Sequence, residues 1–193
     1  TDEITAGQTA TSVNVVVGDN GEILYDAAGV LKTVRTTDTT AATGGDDTIT
    51  LGDGTNTILG GMGRDTIAAG NGVNTILGDS GAITYSAADK LESITSTTID
   101  LGGNDNITAG TGTSNILGGF GNDIITAGLG AISTNVVLGD NGEILYDAAG
   151  VLKTVRTTDT TAATGGDDTI TLGDGTNLVL GGMGVDTIKV GNG

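Results

Sequence analysis

The sequence predicts an all-β protein in which residues 1–193 form one continuous right-handed parallel β-solenoid, or β-roll, and three observations favour this fold class. A nine-residue unit, made of a glycine-rich turn and a short apolar strand, recurs along the chain. The chain contains 36 Gly, no Pro and no Trp, and only 2% of its residues are aromatic. Such a chain cannot fill a broad core at normal packing density, whereas stacked coils bury a thin ladder in which each coil covers the next.

Consecutive nonapeptides define the basic coil, and four of them follow one another without a break in 42–77. Each has Asp or Asn at the end of its turn and then Thr-Ile, as at Asp47 and Asn56. Two nonapeptides make one 18-residue coil, with a turn at each edge and a short strand on each face. Because alternate strand residues point inward, the pattern predicts a core ladder of isoleucines: Ile49, Ile58, Ile67, Ile76, Ile107, Ile116, Ile125, Ile170 and Ile188.

A longer repeat is superimposed on the nonapeptides. It divides the chain into the units 18–77, 78–138 and 139–193, and the stretch 18–56 recurs unchanged at 139–177. Because these units are duplications, each must fold in the same way. We expect each ~60-residue unit to consist of 18-residue coils and one expanded coil.

The expanded coil has 24 residues, 18–41 in the first unit. Two strands, 22–25 and 30–35, are joined by the turn 26–29 and followed by a polar run. We expect this coil to stay within the solenoid and to bulge sideways, because a lone two-stranded hairpin is marginally stable in water. A separate hairpin domain is the alternative. Counting the expanded coils, the solenoid should have roughly ten coils and a length of about 45–50 Å.

The residue that ends each turn alternates between an acid and a neutral polar residue. The acidic series is Asp2, Asp47, Asp65, Asp105, Asp123, Asp168 and Asp186. The intervening series is Asn14, Asn56, Asn74, Ser114, Asn135 and Asn177. Alternate nonapeptides lie on opposite edges of the solenoid, so one edge should carry a column of carboxylates and the other a column of amides.

The carboxylate column predicts calcium binding. Because the chain has no His and no Cys, a metal ion here must be a hard cation held by oxygen atoms. Glycines allow backbone carbonyls to point inward, and carboxylates stacked about 4.8 Å apart would repel one another without a cation. Ordinary turn chemistry of Asp and Gly is the alternative reading. The predicted metal ligands are Asp2, Asp19, Asp47, Asp65, Asp79, Asp105, Asp123, Asp140, Asp168 and Asp186, with Gly45, Gly61, Gly63, Gly103, Gly119, Gly121, Gly166, Gly182 and Gly184.

Stacked turns suggest where individual ions would bind. One Ca²⁺ is expected between the turns 42–47 and 60–65, and another between 60–65 and 78–81, where Asp79 replaces the usual turn-ending Asp. Asp19 and Asp140 should replace the turn-ending Asp in the same way in their units. The amide edge should form a ladder of side-chain hydrogen bonds that needs no ion, with weak calcium binding there as the alternative.

A stripe of leucines follows the amide-ending turns at Leu59, Leu77, Leu117, Leu138 and Leu180. If side chains alternate strictly, the stripe faces outward as a contact surface. The alternative is that a flattened coil buries it. The three Tyr residues recur at matching sites in the expanded coils, near most of the cations, where cross-strand packing and charge balance explain them better than a ligand site does.

Charge and composition exclude several classes of function. A formal net charge of −17 argues against nucleic acid and against an anionic membrane, since both require clustered Lys and Arg. No apolar run approaches the roughly 20 residues of a membrane span. Disorder is an alternative for so acidic a chain, but the regular apolar spacing favours order once calcium is bound. Nothing pairs a nucleophile with a base, so we do not expect an enzyme.

The nonapeptides resemble the repeat-in-toxin, or haemolysin-type, calcium-binding repeats of secreted bacterial proteins. The segments 60–68 and 118–126 read G-G-x-G-x-D-x-U-x, where U is an aliphatic residue, and 181–189 nearly does. The longer unit looks like the tandem arrays of very large bacterial surface or extracellular proteins. The resemblance implies secretion from a low-calcium cytoplasm and folding outside the cell. The chain starts and stops inside nonapeptides, so we expect it to be a piece of a longer array.

These expectations together predict a structural function. The chain should be a calcium-rigidified rod in a secreted or surface protein, as an adhesin-type extender or a subunit of an extracellular fibre. One alternative is a self-assembling filament, in which copies of the chain meet laterally through the leucine stripe or end to end through open coil ends. Another is an ice-binding solenoid with outward Thr rows, as at Thr48, Thr50, Thr169 and Thr171, although other residues break these rows.

Overall fold

Short β-strands make up all the regular structure in the computed structural model, which describes residues 1–7, 9–40, 42–130, 132–161 and 163–193. The predicted all-β solenoid is confirmed. Ala41, the last residue of the first predicted expanded coil, lies outside the described residues. In chain order the strands are β1 (Glu3–Ala6), β2 (Ser12–Val17), β3 (Gly21–Tyr25), β4 (Leu31–Thr36), β5 (Thr48–Leu51), β6 (Gly54–Leu59), β7 (Thr66–Ala69), β8 (Gly72–Leu77), β9 (Gly81–Tyr85), β10 (Leu91–Ser96), β11 (Asn106–Ala109), β12 (Gly112–Gly119), β13 (Ile124–Ala127), β14 (Ser133–Asp140), β15 (Gly142–Tyr146), β16 (Leu152–Thr157), β17 (Thr169–Leu172), β18 (Gly175–Leu180) and β19 (Thr187–Val190).

The strands form three sheets. Sheet A is parallel, with seven strands in the order β1-β5-β7-β11-β13-β17-β19. Sheet B is parallel, with six strands in the order β2-β6-β8-β12-β14-β18. Sheet C is antiparallel, with six strands in the order β3-β4-β9-β10-β15-β16. Strands of sheets A and B alternate along the chain and form the two faces of each coil.

Residues at equivalent positions of the nonapeptides stack in register along the two parallel sheets. Ile67 of sheet A pairs with Ile49 on one side and with Ile107 on the other. The isoleucines of the predicted ladder fill the space between the two sheets and are at most 1% exposed, with one exception. The exception is Ile188, which is 45% exposed because β19 is an edge strand. The predicted ladder is therefore confirmed apart from Ile188.

The expanded coils do not stay within the solenoid, and the predicted sideways bulge is wrong. Their strands form the hairpins β3–β4, β9–β10 and β15–β16, and successive hairpins pair with one another. Val34 of one hairpin pairs with Ile83 of the next, and Ile94 pairs with Ile144 of the third. Pairing between hairpins satisfies edges that an isolated hairpin would leave open, which removes the instability of a lone hairpin.

Sheet C covers the leucine stripe of sheet B. The stripe packs against Val34, Ile83, Ile94 and Ile144 in a second hydrophobic core. The stripe is therefore neither an outer contact surface nor buried by flattening of a coil, because a third layer lies over it. The leucines with no exposed surface are Leu59, Leu77, Leu117 and Leu138.

Polar contacts also join sheet C to its surroundings. The hydroxyl of Tyr85 lies 2.6 Å from that of Thr57 in sheet B, and the hydroxyl of Tyr146 donates to Asn115 Oδ1 at 2.5 Å. Within the first hairpin, Arg35 pairs with Glu22 at 2.6 Å on the opposite strand. These contacts fit the packing and charge balance expected for the recurring Tyr residues and cations.

The unit 78–138 adds two strands to each of the three sheets. It supplies β11 and β13 to sheet A, β12 and β14 to sheet B, and β9 and β10 to sheet C. Neighbouring strands are about 4.8 Å apart in any sheet, so the three layers lengthen together. The seven strands of sheet A correspond to a rod roughly 30 Å long. This is shorter than predicted, because the expanded coils do not lengthen sheets A and B.

The amide edge forms the predicted ladder of side-chain hydrogen bonds. Asn56 Nδ2 donates to Asn74 Oδ1, and Asn135 Nδ2 donates to Asn177 Oδ1, both at 2.8 Å. The ladder is interrupted at Ser114, whose side chain is too short to reach the next rung. The buried Oγ of Ser114 and the buried Oδ1 of Asn135 have no hydrogen-bond partner among the described residues.

Replacing Ser114 with Asn should complete this ladder and stabilise the protein. The new amide would accept a hydrogen bond from Asn74 and donate one to Asn135, and a buried hydrogen bond contributes about 1 kcal/mol to the free energy of unfolding. The melting temperature of Ser114→Asn in calcium, followed by circular dichroism, should therefore rise. Thr113→Asn, on the opposite face of the same strand, is the control. A melting temperature for Ser114→Asn no higher than that of the control would contradict the prediction.

Candidate metal site

The column of carboxylates lies where turns from sheets B and C enter sheet A. Each turn-ending Asp immediately precedes a strand of sheet A, so the parallel pairing of that sheet stacks the side chains one strand apart. At the two ends of the column, Asp2 is exposed and Asp186 is partly buried. The interior members are at most 2% exposed: Asp47, Asp65, Asp105, Asp123 and Asp168.

Each carboxylate uses one oxygen atom to hold the neighbouring turn. The backbone N–H of Asp47 donates to Oδ1 of Asp65, and the N–H of Asp65 donates to Oδ1 of Asp105, both at 2.8 Å. The same contact joins the other neighbours in the column. The side chains therefore extend the hydrogen-bond ladder of sheet A into the turns.

The other carboxylate oxygen of each interior member, Oδ2, has no hydrogen-bond partner within the described part of the chain. A buried carboxylate oxygen without a partner is unfavourable, since burial removes the water that would solvate it. A bound cation would satisfy a whole column of such atoms. Buried Oδ2 atoms without a partner among the described residues belong to Asp47, Asp65, Asp105, Asp123 and Asp168.

Backbone oxygens converge on the same region. A Cβ atom added to Gly60, the first residue of its turn, would meet the carbonyl oxygen of Gly78 and Oδ2 of Asp65. Carbonyl and carboxylate oxygens of successive turns therefore lie side by side, as the oxygen ligands of Ca²⁺ must. These residues fit calcium. The glycines confined in the same way are Gly18, Gly78, Gly118 and Gly139.

These first glycines of the turns are not among the glycines that the sequence predicts as metal ligands. Their signal is the Gly-Gly or Gly-Asp pair that opens every turn of this edge. The glycines that were predicted have other observed roles. Gly61 and Gly63 have φ angles of 118° and 113°, a left-handed conformation that side chains disfavour. A ligand role for the carbonyls of the predicted glycines stays a prediction.

Asp79 lies at the beginning of a turn and not at its end, and its predicted role as a metal ligand stays a prediction. Its Oδ1 accepts a hydrogen bond from the N–H of Gly103 at 3.0 Å, and its Oδ2 accepts one from Phe120 at 2.5 Å. The carboxylate thus lies between the second half of its own turn and the next turn of the stack. The reason is that Asp79 belongs to the beginning of a turn that Asp105 ends, and a hairpin separates the two.

The corresponding residues of the other units behave like Asp79. Asp19 accepts hydrogen bonds from the N–H groups of Gly45, at 3.1 Å, and Met62, at 2.6 Å. Asp140 accepts them in the same way from two further residues, Gly166 at 3.0 Å and Met183. The predicted glycines Gly45, Gly103 and Gly166 are therefore amide donors to these three carboxylates.

Burial and mutual repulsion raise the pKa values of four interior carboxylates of the column. Loss of solvation, followed by repulsion from neighbouring carboxylates, raises the pKa of Asp65 to about 8 and that of Asp168 to about 7. Burial, with repulsion from Asp65 or Asp105, also raises the pKa values of Asp105 and Asp123. A divalent cation beside them would favour the charged form.

Backbone atoms must contribute to any site on this edge. Among the described residues, no three Asp, Glu, His or Cys side chains converge into a metal cage by themselves. An ion bound between two turns must therefore take much of its coordination from carbonyl oxygens. Those carbonyls come together only when the turns are stacked, so binding and folding are coupled.

The fold and this edge define a calcium-binding repeat protein. The RTX calcium-binding nonapeptide repeat (4 copies) matches residues 36–67, 52–82, 101–131 and 157–188, which together are more than half of the chain. The chain belongs to this family, and the predicted calcium cofactor is confirmed. No curated protein and no solved structure matched the chain. The described residues include no helix long and apolar enough to cross a membrane.

Without calcium, the folded state should lose stability as the pH rises. The pKa of Asp65 is raised from 3.8 to about 8 in the folded protein, and that of Asp168 from 3.8 to about 7, so protonation favours folding. This contribution is fully present below about pH 3.8 and is lost as the pH rises through about 7 to 8. Melting temperatures of protein stripped of calcium on a chelating resin should fall across this range. With excess calcium, this fall of the melting temperature with pH should weaken or reverse. Calcium-stripped protein whose melting temperature rises with pH would contradict the prediction.

Proposed function

We propose that the chain is a calcium-rigidified rod that extends a secreted or surface-exposed bacterial protein, as an adhesin-type spacer or as part of an extracellular fibre. The observation that carries this proposal is the column of buried Oδ2 atoms, which follows sheet A through its interior turns. An ion beside each of these atoms would join two successive coils. Calcium would then act along the axis of the rod rather than at one local site.

Calcium would supply much of the free energy of folding. The unfolded chain has no preformed oxygen cage, so the ions bind the folded state and stabilise it by mass action. At a formal net charge of −17, they would also relieve repulsion between carboxylates. Such a rod stays unfolded where free calcium is scarce and becomes rigid where it is abundant. This behaviour supports a location outside the cell.

The repeat unit is suited to extension. The edge strand β3 has the same sequence as β15, which pairs with β10 inside sheet C. A further unit placed before β3 would therefore meet a strand whose duplicate already makes that contact. Rods of different length can be built from such units without a new interface.

The alternatives have less support. Lateral assembly through the leucine stripe has little support, because sheet C covers the stripe. The outward face of sheet A carries Thr columns of the kind considered for ice binding. Ala68, Asn106 and Ile124 interrupt them in the central strands, and Glu3 and Lys189 interrupt them at the ends.

Removing calcium from the chain should abolish its β-sheet structure. Excess EGTA at neutral pH should remove the β-sheet circular dichroism and expand the particle in small-angle X-ray scattering, because the carboxylate column then repels itself. Added Ca²⁺ should restore both signals. Mg²⁺ is the control, since it prefers strict octahedral geometry and retains its waters, and it should restore neither. Spectra and scattering that EGTA leaves unchanged would refute the proposed function.

A further inference from the structure

The turns of the carboxylate edge are of two kinds, which alternate along the rod. Plain turns run directly from sheet B to sheet A over a few residues: 60–65, 118–123 and 181–186. Interrupted turns leave sheet B, form a hairpin of sheet C, and return to the same edge: 18–47, 78–105 and 139–168. The expanded coil is therefore an insertion into one turn.

Contacts between neighbouring turns show where the insertion occurs. Asp140, the second residue of an interrupted turn, pairs in register with Gly119, the second residue of a plain turn. At the other end of the turn, Asp46 Oδ1 accepts a hydrogen bond from the N–H of Arg64 at 2.9 Å. Arg64 is the fifth residue of its plain turn, and Asp46 is the fifth residue of its interrupted turn when residues 20–43 are left out. The hairpin is thus inserted after the second residue, and interrupted turns have Asp where plain turns have Gly.

This Asp fills the space that the glycine of the next plain turn leaves free. A Cβ atom on Gly119 would collide with the carboxylate of Asp79, and the φ angle of Gly119 is 123°. Asp79 accepts one hydrogen bond from Gly103, in the second half of its own turn, and one from Phe120, in the following plain turn. Its side chain therefore joins the two separated halves of its turn and attaches both to the next turn.

The joined turns are those that present unpaired carboxylate oxygens. Asp105 and Asp123 end the two turns that Asp79 connects, and both are 1% exposed. The Oδ2 atoms of both lack a hydrogen-bond partner in the part of the chain that the structure describes. Both oxygens of Asp79 already accept N–H groups. Asp79 is therefore placed to hold the two turns in position, while Asp105 and Asp123 keep an oxygen free for an ion.

The middle unit depends most on this carboxylate. In the first unit, Asn20 also donates to Asp38, at 3.2 Å from its N–H and at 3.0 Å from its side chain, and so closes the base of the insertion. The third unit has the equivalent pair Asn141 and Asp159. The middle unit has Ser80 and Thr98 at these positions, and their buried hydroxyl oxygens have no partner among the described residues.

We propose that Asp19, Asp79 and Asp140 are positioning residues that close the hairpin-interrupted turns into calcium sites, and so couple the attachment of sheet C to calcium binding. The inference rests on the calcium-dependent rod proposed above. It differs from the sequence prediction, which made these residues ligands. Each acts through the turn-ending carboxylates of its own turn and of the next.

Asp79→Asn in the 193-residue chain tests the proposal, because Asn keeps the shape of Asp but places an amide against one of the two N–H groups. Calorimetric titration with Ca²⁺ should show a subset of sites weakened by about tenfold, the effect of losing one buried charge-assisted hydrogen bond. Hydrogen exchange in saturating calcium should be about tenfold faster in 81–96. The hairpin 142–157 is the internal control, and its hydrogen exchange should not change. Asp53→Asn, on the amide edge, is the matched variant, and it should change neither the calcium affinity nor the hydrogen exchange.

A rescue variant separates a positioning residue from a ligand. Adding Ser80→Asn and Thr98→Asp to Asp79→Asn rebuilds the Asn–Asp pair of the other units without restoring Asp79. A positioning role predicts recovery of both the protection of 81–96 and the calcium affinity. Recovered protection with calcium affinity still lost would overturn the proposal in favour of a direct ligand.

Asp19→Asn keeps the proposal testable if Asp79→Asn does not fold, since Asp19 is only partly buried. Calcium affinity should fall while the hairpin 21–36 stays protected, because Asn20 and Asp38 still close that insertion. The inference is overturned if Asp79→Asn has the calcium affinity and the hydrogen exchange of Asp53→Asn while EGTA still unfolds the wild type. Where Asp79→Asn does not fold, the same result for Asp19→Asn overturns the inference. A wild type that does not respond to EGTA would instead overturn the proposed function and this inference with it.

Discussion

Every repeated contact in this protein depends on one distance, the separation of about 4.8 Å between neighbouring strands. Parallel pairing places Ile67 on Ile49 and Asp65 beside Asp47 at this same spacing. For isoleucines the spacing allows close packing, and for the Asn residues it allows an amide hydrogen bond. For carboxylates it brings like charges together. The geometry that stabilises the core thus also creates the need for a cation along one edge.

The third sheet obeys the same constraint. A hairpin occupies the width of two strands, and two coils also occupy the width of two strands in sheets A and B. An insertion in every second turn therefore keeps all three layers in step. An insertion in every turn would require twice as many strands in sheet C as sheet B could face. The repeat of about 60 residues follows from this match between hairpin and coil.

The candidate site was predictable where it depends on local pattern. The alternation of Asp65 with Asn56 and Asn74 follows from nine-residue spacing alone, and oxygen chemistry in a chain without His or Cys points to calcium. The role of Asp79 was not predictable in the same way. Its partners, Gly103 and Phe120, are 24 and 41 residues away in the chain, and only the folded stack brings them to its carboxylate.

The sequence by itself determined the coil, the isoleucine ladder, and which edge is acidic, because each follows from a short period that places neighbouring residues on known faces. Only the tertiary structure decided the fate of the hairpins and of the leucine stripe. Val34 meets Ile83 because successive units are stacked in space, and no local pattern encodes that pairing. The sequence shows that the stripe at Leu77 and Leu117 is apolar, but it does not show what covers the stripe. Solvent, a partner or a third sheet could lie there, and contacts between units distant in the chain decide which of them does.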